Sequence, residues 1–271
     1  MNASWKHDSR LLNLGSRLLG NTLGVALLEG SSPERVARLI GRLKPQYPPA
    51  DLVRIGGAHD GGYLVPADID TYDLLISPGV GETYEFDRHF FSRGIDAVLV
   101  DASVDLPPQP HMVHLKKFVG GYSSEADQLI SLAELLERYG AGRSRSVLQM
   151  DIEGAEYEVL GATPEPTLSR FGVIAMEAHH LGGLCYRGML PIIETAFDRL
   201  LKNHFVAHIH VNNSGRVIPY GGMEIPDTLE LTFVHRDFYR ATAEARFVSP
   251  HPLDAPSVAT LPETPVPRCW W

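Results

Sequence analysis

Three short groupings of acid and imidazole side chains carry the residue types that move protons or hold metals. Asp151-Ile-Glu153 follows an apolar run at 147–150, Glu177-Ala-His179-His180 follows another at 173–176, and His208-Ile-His210-Val-Asn212 ends a third. Carboxylates and imidazoles gathered this way suit acid–base work on a hydroxyl, or ligation of a divalent metal. Side chains two apart on a strand share a face, so Glu177 is expected beside His179, and His208 beside His210. The candidate catalytic residues are therefore Asp151, Glu153, Glu177, His179 and His180, with His179 or Glu153 taking the proton. Asp151, Glu177 and His179 are also the first ligand set for a divalent metal, a secondary expectation because no H-x-x-x-H spacing occurs. Plainer roles exist for each: Asp151 as a helix cap, Glu153 and Glu156 as a solvated helix start, His208 and His210 on a strand with one wet face.

A different chemistry is written in Leu74-Leu-Ile-Ser-Pro-Gly-Val-Gly-Glu82. An apolar strand runs into Gly79-x-Gly81 and then a helix, which lets backbone approach a ligand closely and offers free N–H groups to it. Asp101, followed by Ala102 and Ser103, ends the next strand, where an acid would accept hydrogen bonds from ribose hydroxyls. A dinucleotide fold would place a third glycine where Tyr84 stands. Ser77 and Glu82 present polar acceptors that suit a cationic sulfonium with an amine better than a pyrophosphate, so Ser77, Gly79, Val80, Gly81, Glu82, Asp101, Ala102, Ser103 and Asp151 form a candidate adenosylmethionine site. The plain alternative is a tight strand-to-helix turn. Upstream, the glycine cluster of residues 54–63 contains Asp60 and Tyr63 and has the composition of a β-turn.

These residues need a scaffold that brings strand ends to one edge. Apolar runs rich in β-formers at 74–76, 97–100, 112–118, 147–150, 173–176, 205–211 and 229–234 alternate with helix-like segments at 82–93, 131–139, 155–160 and 190–203. That order predicts an α/β domain with a mostly parallel seven-stranded sheet. No helix-sized segment separates the last two strands, so they should close the sheet as an antiparallel hairpin with a long loop. The predicted organisation is an N-terminal helical cap and linker at 1–50, the main domain at 51–248 and a Pro-rich tail at 249–271, extended or loosely packed. The leucine-rich segment 11–28 is too interrupted to span a bilayer and reads as an amphipathic helix packing on the domain or a partner, the alternative being contact with a membrane surface or with a second copy of the chain in a homo-oligomer.

Composition narrows the class further. With 24 Lys and Arg against 33 Asp and Glu, the net charge of −9 argues against general nucleic-acid binding. Cys185 and Cys269 are the sole cysteines and have no metal or redox spacing, which fits a reducing, cytoplasmic location.

The run Val147-Leu-Gln-Met-Asp-Ile-Glu-Gly-Ala-Glu-Tyr-Glu-Val-Leu160 resembles the K-x-D-I-E-G-A-E-x-x-V-L signature of FkbM-type methyltransferases, with Gln149 where lysine is usual. Asp60-Gly-Gly-Tyr63, Ser77-Pro-Gly-Val-Gly-Glu-Thr-Tyr-Glu-Phe-Asp87 and Met176-Glu-Ala-His-His180 look like the same family. The resemblance implies a Rossmann-like class I methyltransferase fold, S-adenosylmethionine as donor with S-adenosylhomocysteine as product, and O-methylation of a sugar or secondary-metabolite hydroxyl, hence a small-molecule or glycan acceptor. It also makes the Asp60–Tyr63 turn look like a cofactor lid. The competing classes are a nicotinamide-dependent oxidoreductase and a non-catalytic domain that keeps the fold as a scaffold.

Overall fold

The computed structural model describes residues 28–46, 51–81, 83–241 and 247–271. The leucine-rich segment up to residue 27, the end of the proline hinge and Glu82 lie outside the described residues, and with them the expected N-terminal oligomer contact. In chain order the elements are α1 (Pro33–Arg42), β1 (Leu52–Ile55), β2 (Tyr63–Pro66), β3 (Leu74–Pro78), α2 (Glu85–Phe91), β4 (Asp96–Val100), β5 (Met112–Leu115), β6 (Phe118–Val119), β7 (Leu129–Ile130), α3 (Leu132–Tyr139), β8 (Ser146–Met150), α4 (Glu156–Ala162), α5 (Glu165–Leu168), β9 (Phe171–Ala178), α6 (Leu190–Asn203), β10 (His204–Val211), β11 (Val217–Tyr220), β12 (Met223–Pro226) and β13 (Leu229–His235). Among them no helix is long and apolar enough to cross a membrane.

Seven strands form one sheet in the order β10-β13-β9-β8-β3-β4-β5. β13 runs antiparallel to both neighbours, and the other pairings are parallel. β3 and β8 lie side by side although the chain leaves β3 outward through β4 and β5 before returning. That reversal leaves a crevice at the carboxyl ends of β3 and β8, the place where open α/β sheets hold ligands.

Alternation along the buried strands divides the core into two layers. Leu74, Ile76, Leu148, Met150, Ile174 and Met176 face α1, α3, α4 and α6. Leu75, Val147, Val173 and Ala175 face α2 and the β1–β2 ribbon. On this second face the apolar pattern turns polar near the carboxyl edge, where Ser77, Gln149, Glu177, Glu230, His208 and His210 are all buried. A bulge between Val206 and His208 resets the phase of β10.

Ser32 caps α1 by accepting the Arg35 N–H, and Pro33 opens the helix. Its apolar side, Val36, Leu39 and Ile40, is fully covered within the chain. Arg35 pairs with Glu194 and Arg42 with Asp198, both on α6.

Three sequence expectations need correction. The run 112–118 is two strands, because a turn at Lys117 ends β5 and β6 pairs instead with β7. The loop between β10 and β13 holds the small β11–β12 hairpin. Residues 249–271 form no strand and end in a 3-10 turn at Arg268–Trp270, but they are not loosely packed: Trp270 is fully buried, Asp254 meets His208 at 2.8 Å, Glu263 meets His210 at 2.8 Å, and the Asn213 side chain holds the carbonyls of Val258, Leu261 and Pro262. Proline removes helix and ladder donors but leaves carbonyls and side chains free to dock.

Candidate functional site

The first half of the crevice is built from backbone. Gly79 and Gly81 both adopt positive φ, +80° and +61°. A Cβ on Gly79 would stand 1.5 Å from the Asp151 carbonyl oxygen, so only glycine lets β3 and β8 meet here. Asp101 Oδ2 accepts the N–H groups of Val80 and Gly81 at 3.1 and 3.2 Å, and Oδ1 accepts the Ser103 N–H and hydroxyl at 2.7 and 2.6 Å. Burial works to raise its pKa, but Ser103 and the glycine-loop amides outweigh it and hold the carboxyl below its ordinary value. Asp101 is expected from the sequence to meet a ligand; its first task here is to shape the loop that a ligand would meet.

Behind this loop Ser77 donates to Gln149 Oε1 at 2.6 Å and Gln149 Nε2 donates to the Tyr63 hydroxyl at 3.4 Å. Ser77 and Tyr63 are thus buried supports rather than cleft walls. Asp87, which sequence reasoning left out of the site, lines the cleft, and burial pushes its pKa up to about 7. The signal was available, since Asp87 closes the motif that starts at Ser77.

The second half gathers carboxylates around one imidazole. His179 Nδ1 lies 3.0 Å from Glu156 Oε1, while Nε2 lies 3.4 Å from Glu153 Oε2, 3.8 Å from Asp151 Oδ1 and 3.9 Å from Glu177 Oε2. Glu156 is fully buried and also accepts the N–H groups of Ile152 and Gly154, so it closes the turn ahead of α4. This corrects two plain readings. Glu156 is no solvated helix start, and Asp151 does not cap α4, whose N-cap Ala155 has no side-chain bond. It also moves the partner of His179 from Glu177 to Glu156, because Glu177 turns one oxygen to the Asn212 amide.

Glu153 and His180 both hold φ of +55°, a costly conformation for such residues that clusters at functional sites. Burial, together with like charge, raises the pKa of Asp151 to about 7 and that of Glu177 higher still. Burial lowers the His179 pKa, but the Glu156 bond and the surrounding carboxylates win and raise it. A ring held in its charged form cannot accept a proton, which argues against His179 as the base when no other cation is present.

A cleft of about 670 Å³ joins the two halves. Of the sequence-derived candidates it is lined by Asp60, Gly79, Val80, Gly81, Asp101, Ser103, Asp151 and Glu153. Tyr63, Ser77, Ala102, Glu177, His179 and His180 stand outside that lining. His180 is exposed with its ring against Gly154, and Glu177 and His179 back Asp151 from within. The Asp60 turn reaches the cleft because Arg54 fastens it, donating to the carbonyls of Gly57 and His59 at 3.0 and 2.7 Å. His208 and His210 are also buried, but Asp254 and Glu263 tie them to the tail and Glu230 ties His210 to β13.

A sheet in this order with one antiparallel strand, a glycine loop after β3 and an acid at the end of β4 defines a Rossmann-like methyltransferase fold. Residues 114–202 match the family model of the methyltransferase FkbM domain, which bears out the resemblance carried by residues 147–160. The glycine loop, Asp101 and the tail lie outside the matched stretch. No curated protein matches the chain. A TehB-like SAM-dependent methyltransferase from Corynebacterium glutamicum is similar over 86% of this chain and 100% of its own, at 12% identity and a TM-score of 0.29, too low to bear on the site.

Proposed function

We propose that the chain is a cytoplasmic S-adenosylmethionine-dependent methyltransferase that methylates a hydroxyl group on a sugar or secondary-metabolite acceptor. The observation that carries this reading is the lining of the cleft. It contains six acidic side chains (Asp60, Asp87, Asp101, Asp151, Glu153 and Glu158) and, among the described residues, no Lys or Arg. Such a wall repels a pyrophosphate and attracts a sulfonium and an ammonium, which disfavours the nicotinamide alternative. The bare backbone at Gly81, with nothing within 4 Å of where a side chain would start, gives an adenosyl group room against the floor.

S-adenosylmethionine supplies a methyl carbon already activated by positive sulfur, so the chain's own residues have mainly to align and to exclude water. The Gly79–Gly81 loop, held by Asp101, fixes the donor half. The Asp60 turn covers it from above. Asp151, packed directly beside Gly79, and Glu153 would meet the acceptor next to that loop; S-adenosylmethionine would supply the methyl group, with its sulfur keeping the electron pair of the broken bond, and the acceptor hydroxyl would give up its proton toward these carboxylates.

Calorimetry with S-adenosylhomocysteine, S-adenosylmethionine and NAD tests the cofactor. Binding of both sulfur compounds with no response to NAD is expected, and tight NAD binding with neither sulfur compound bound would overturn the reading. Incubation with methyl-labelled donor and a panel of hydroxylated and aminated acceptors tests the reaction. Label in an ether product supports O-methylation, whereas label confined to amines rejects it.

A further inference from the structure

We propose that Asp151, Glu177 and His179 form a binding site for one hard divalent cation, with Asp151 Oδ1, Glu177 Oε2 and His179 Nε2 as ligands. The three atoms lie within 4.8 Å of one another, and Nε2 is 3.8 and 3.9 Å from the two oxygens. An ion bonded at about 2.1 Å to each would sit between them with small side-chain adjustment.

Two observations separate this cluster from a chance gathering of acids. His179 is 9% exposed and its Nε2 is aimed into the cluster, 3.4 Å from Glu153 Oε2, while Asp151 Oδ1 is buried with no hydrogen-bond partner. Both are turned toward the same point, where a metal would take the place of the hydrogen that Nε2 carries in the cation-free protein. Each donor is also held from behind. Glu156 takes the Nδ1 hydrogen of His179, leaving the Nε2 lone pair for a metal, and the Asn212 amide fixes Glu177. Such outer contacts are characteristic of metal sites, where they set the tautomer and the aim of the ligands.

Charge points the same way. Four carboxylates stand 3.0 to 3.9 Å from the ring nitrogens of His179, and among the described residues no Lys or Arg side chain forms an ion pair with any of them. A divalent ion supplies the missing positive charge. Two carboxylate oxygens with one imidazole suit Mn2+ or Mg2+ better than thiolate-preferring metals.

The consequence for chemistry rests on the proposed methyl transfer. Asp151 reaches the cleft wall, so a cation there has open positions toward the acceptor. A coordinated hydroxyl loses its proton more readily. The proton would pass to Glu153, whose side chain is 86% exposed and lines the cleft, and then to water, while the oxygen forms the new bond to the methyl carbon and sulfur keeps the electron pair of the bond that breaks.

Full-length protein, stripped with chelator, would be titrated with Mn2+ while electron paramagnetic resonance follows the free ion. Uptake of about one Mn2+ per chain is expected. Glu177→Gln should weaken it at least tenfold and Glu156→Gln by roughly 10- to 100-fold, with S-adenosylhomocysteine affinity unchanged in both. Glu230→Gln, which removes an acid of the same buried row, should leave Mn2+ uptake unaltered. Circular dichroism on each variant confirms folding, and because the variants are separate, loss of one fold leaves the others to decide. No uptake, or equal weakening by Glu230→Gln, overturns the cation site. S-adenosylhomocysteine binding without Mn2+ uptake rejects the cation but leaves the methyltransferase reading intact. Mn2+ uptake without S-adenosylhomocysteine binding does the reverse.

Discussion

Asp101 and Asp151 end neighbouring halves of the same sheet edge, yet burial treats them in opposite ways. Asp101 receives four hydrogen bonds, from Val80, Gly81 and Ser103, and its pKa falls. Asp151 has an oxygen buried with no donor at all, lies among other carboxylates, and its pKa rises to about 7. Between the two, the proposed donor half is a backbone structure satisfied around Asp101, with Asp87 behind it as the one buried side chain there, among the described residues, that keeps an unpartnered oxygen. The acceptor half keeps unsatisfied oxygens and two left-handed residues, Glu153 and His180, which cost stability. Proteins retain such costs where a ligand or a reaction later uses them. Substitutions on the two sides should therefore change stability with opposite signs.

The largest effect is expected at the seam. Gly79→Ala would force a Cβ to 1.5 Å from the Asp151 carbonyl at a φ of +80°, so β3 and β8 must separate. A loss of more than about 4 kcal/mol, seen as failure to fold or a collapsed melting temperature, is expected. Gly81→Ala has positive φ but nothing within 4 Å and should cost only about 1 kcal/mol. Equal damage from both would show that the close approach of the strands is not what Gly79 serves.

Asp101→Ala comes next. It strands the Val80 and Gly81 amides, and a loss of roughly 2–3 kcal/mol should appear in urea unfolding, along with weaker S-adenosylhomocysteine binding by calorimetry. Unchanged affinity would mean that the loop keeps its shape without Asp101.

The same contrast explains what could be read from sequence. The strands were legible because fully buried runs such as 147–150 and 173–176 must be apolar, and the period of two placed Glu177 and His179 on one side. The glycine loop was legible because few residues tolerate the turn it makes. Glu156 departs from the solvated helix start expected of a glutamate in a first helical turn; it reaches back to accept the Ile152 and Gly154 amides, which the Asp-Ile-Glu-Gly-Ala-Glu spacing allows. The docking of the tail was beyond reach, since its partners His208, His210 and Asn213 lie about 45 residues upstream or more, and composition reports nothing of tertiary pairing.

On the acceptor side Glu177→Gln should raise stability of the metal-free protein. It removes a carboxyl that burial and the neighbouring Asp151 force to hold a proton at neutral pH, and it keeps an acceptor oxygen for the Asn212 amide. A gain of about 1 kcal/mol, or roughly 2–4 °C in melting temperature, is expected while turnover on the true acceptor falls at least a hundredfold. A lower melting temperature would sink the claim that this half of the cleft stores unfavourable electrostatics.

The smallest effect concerns the tail, which closes the polar face next to that half. Burial alone would lower the His210 pKa, but Glu230, Asp254 and Glu263 raise it to about 9. His208 on the same strand is engaged by Asp254, and Ser257 holds the other oxygen of Glu230. A histidine whose folded pKa lies above its unfolded value near 6.5 contributes fully below that value and progressively less as pH rises through about 9. Glu263→Gln should then lower the melting temperature by one or two degrees at pH 6, about 0.5 kcal/mol, and by nothing measurable at pH 10. Differential scanning calorimetry across that range checks it. A penalty that stayed constant with pH would assign the contact of Glu263 with His210 to packing and neutral hydrogen bonding, and would leave the charged row of the acceptor half ending at Glu230.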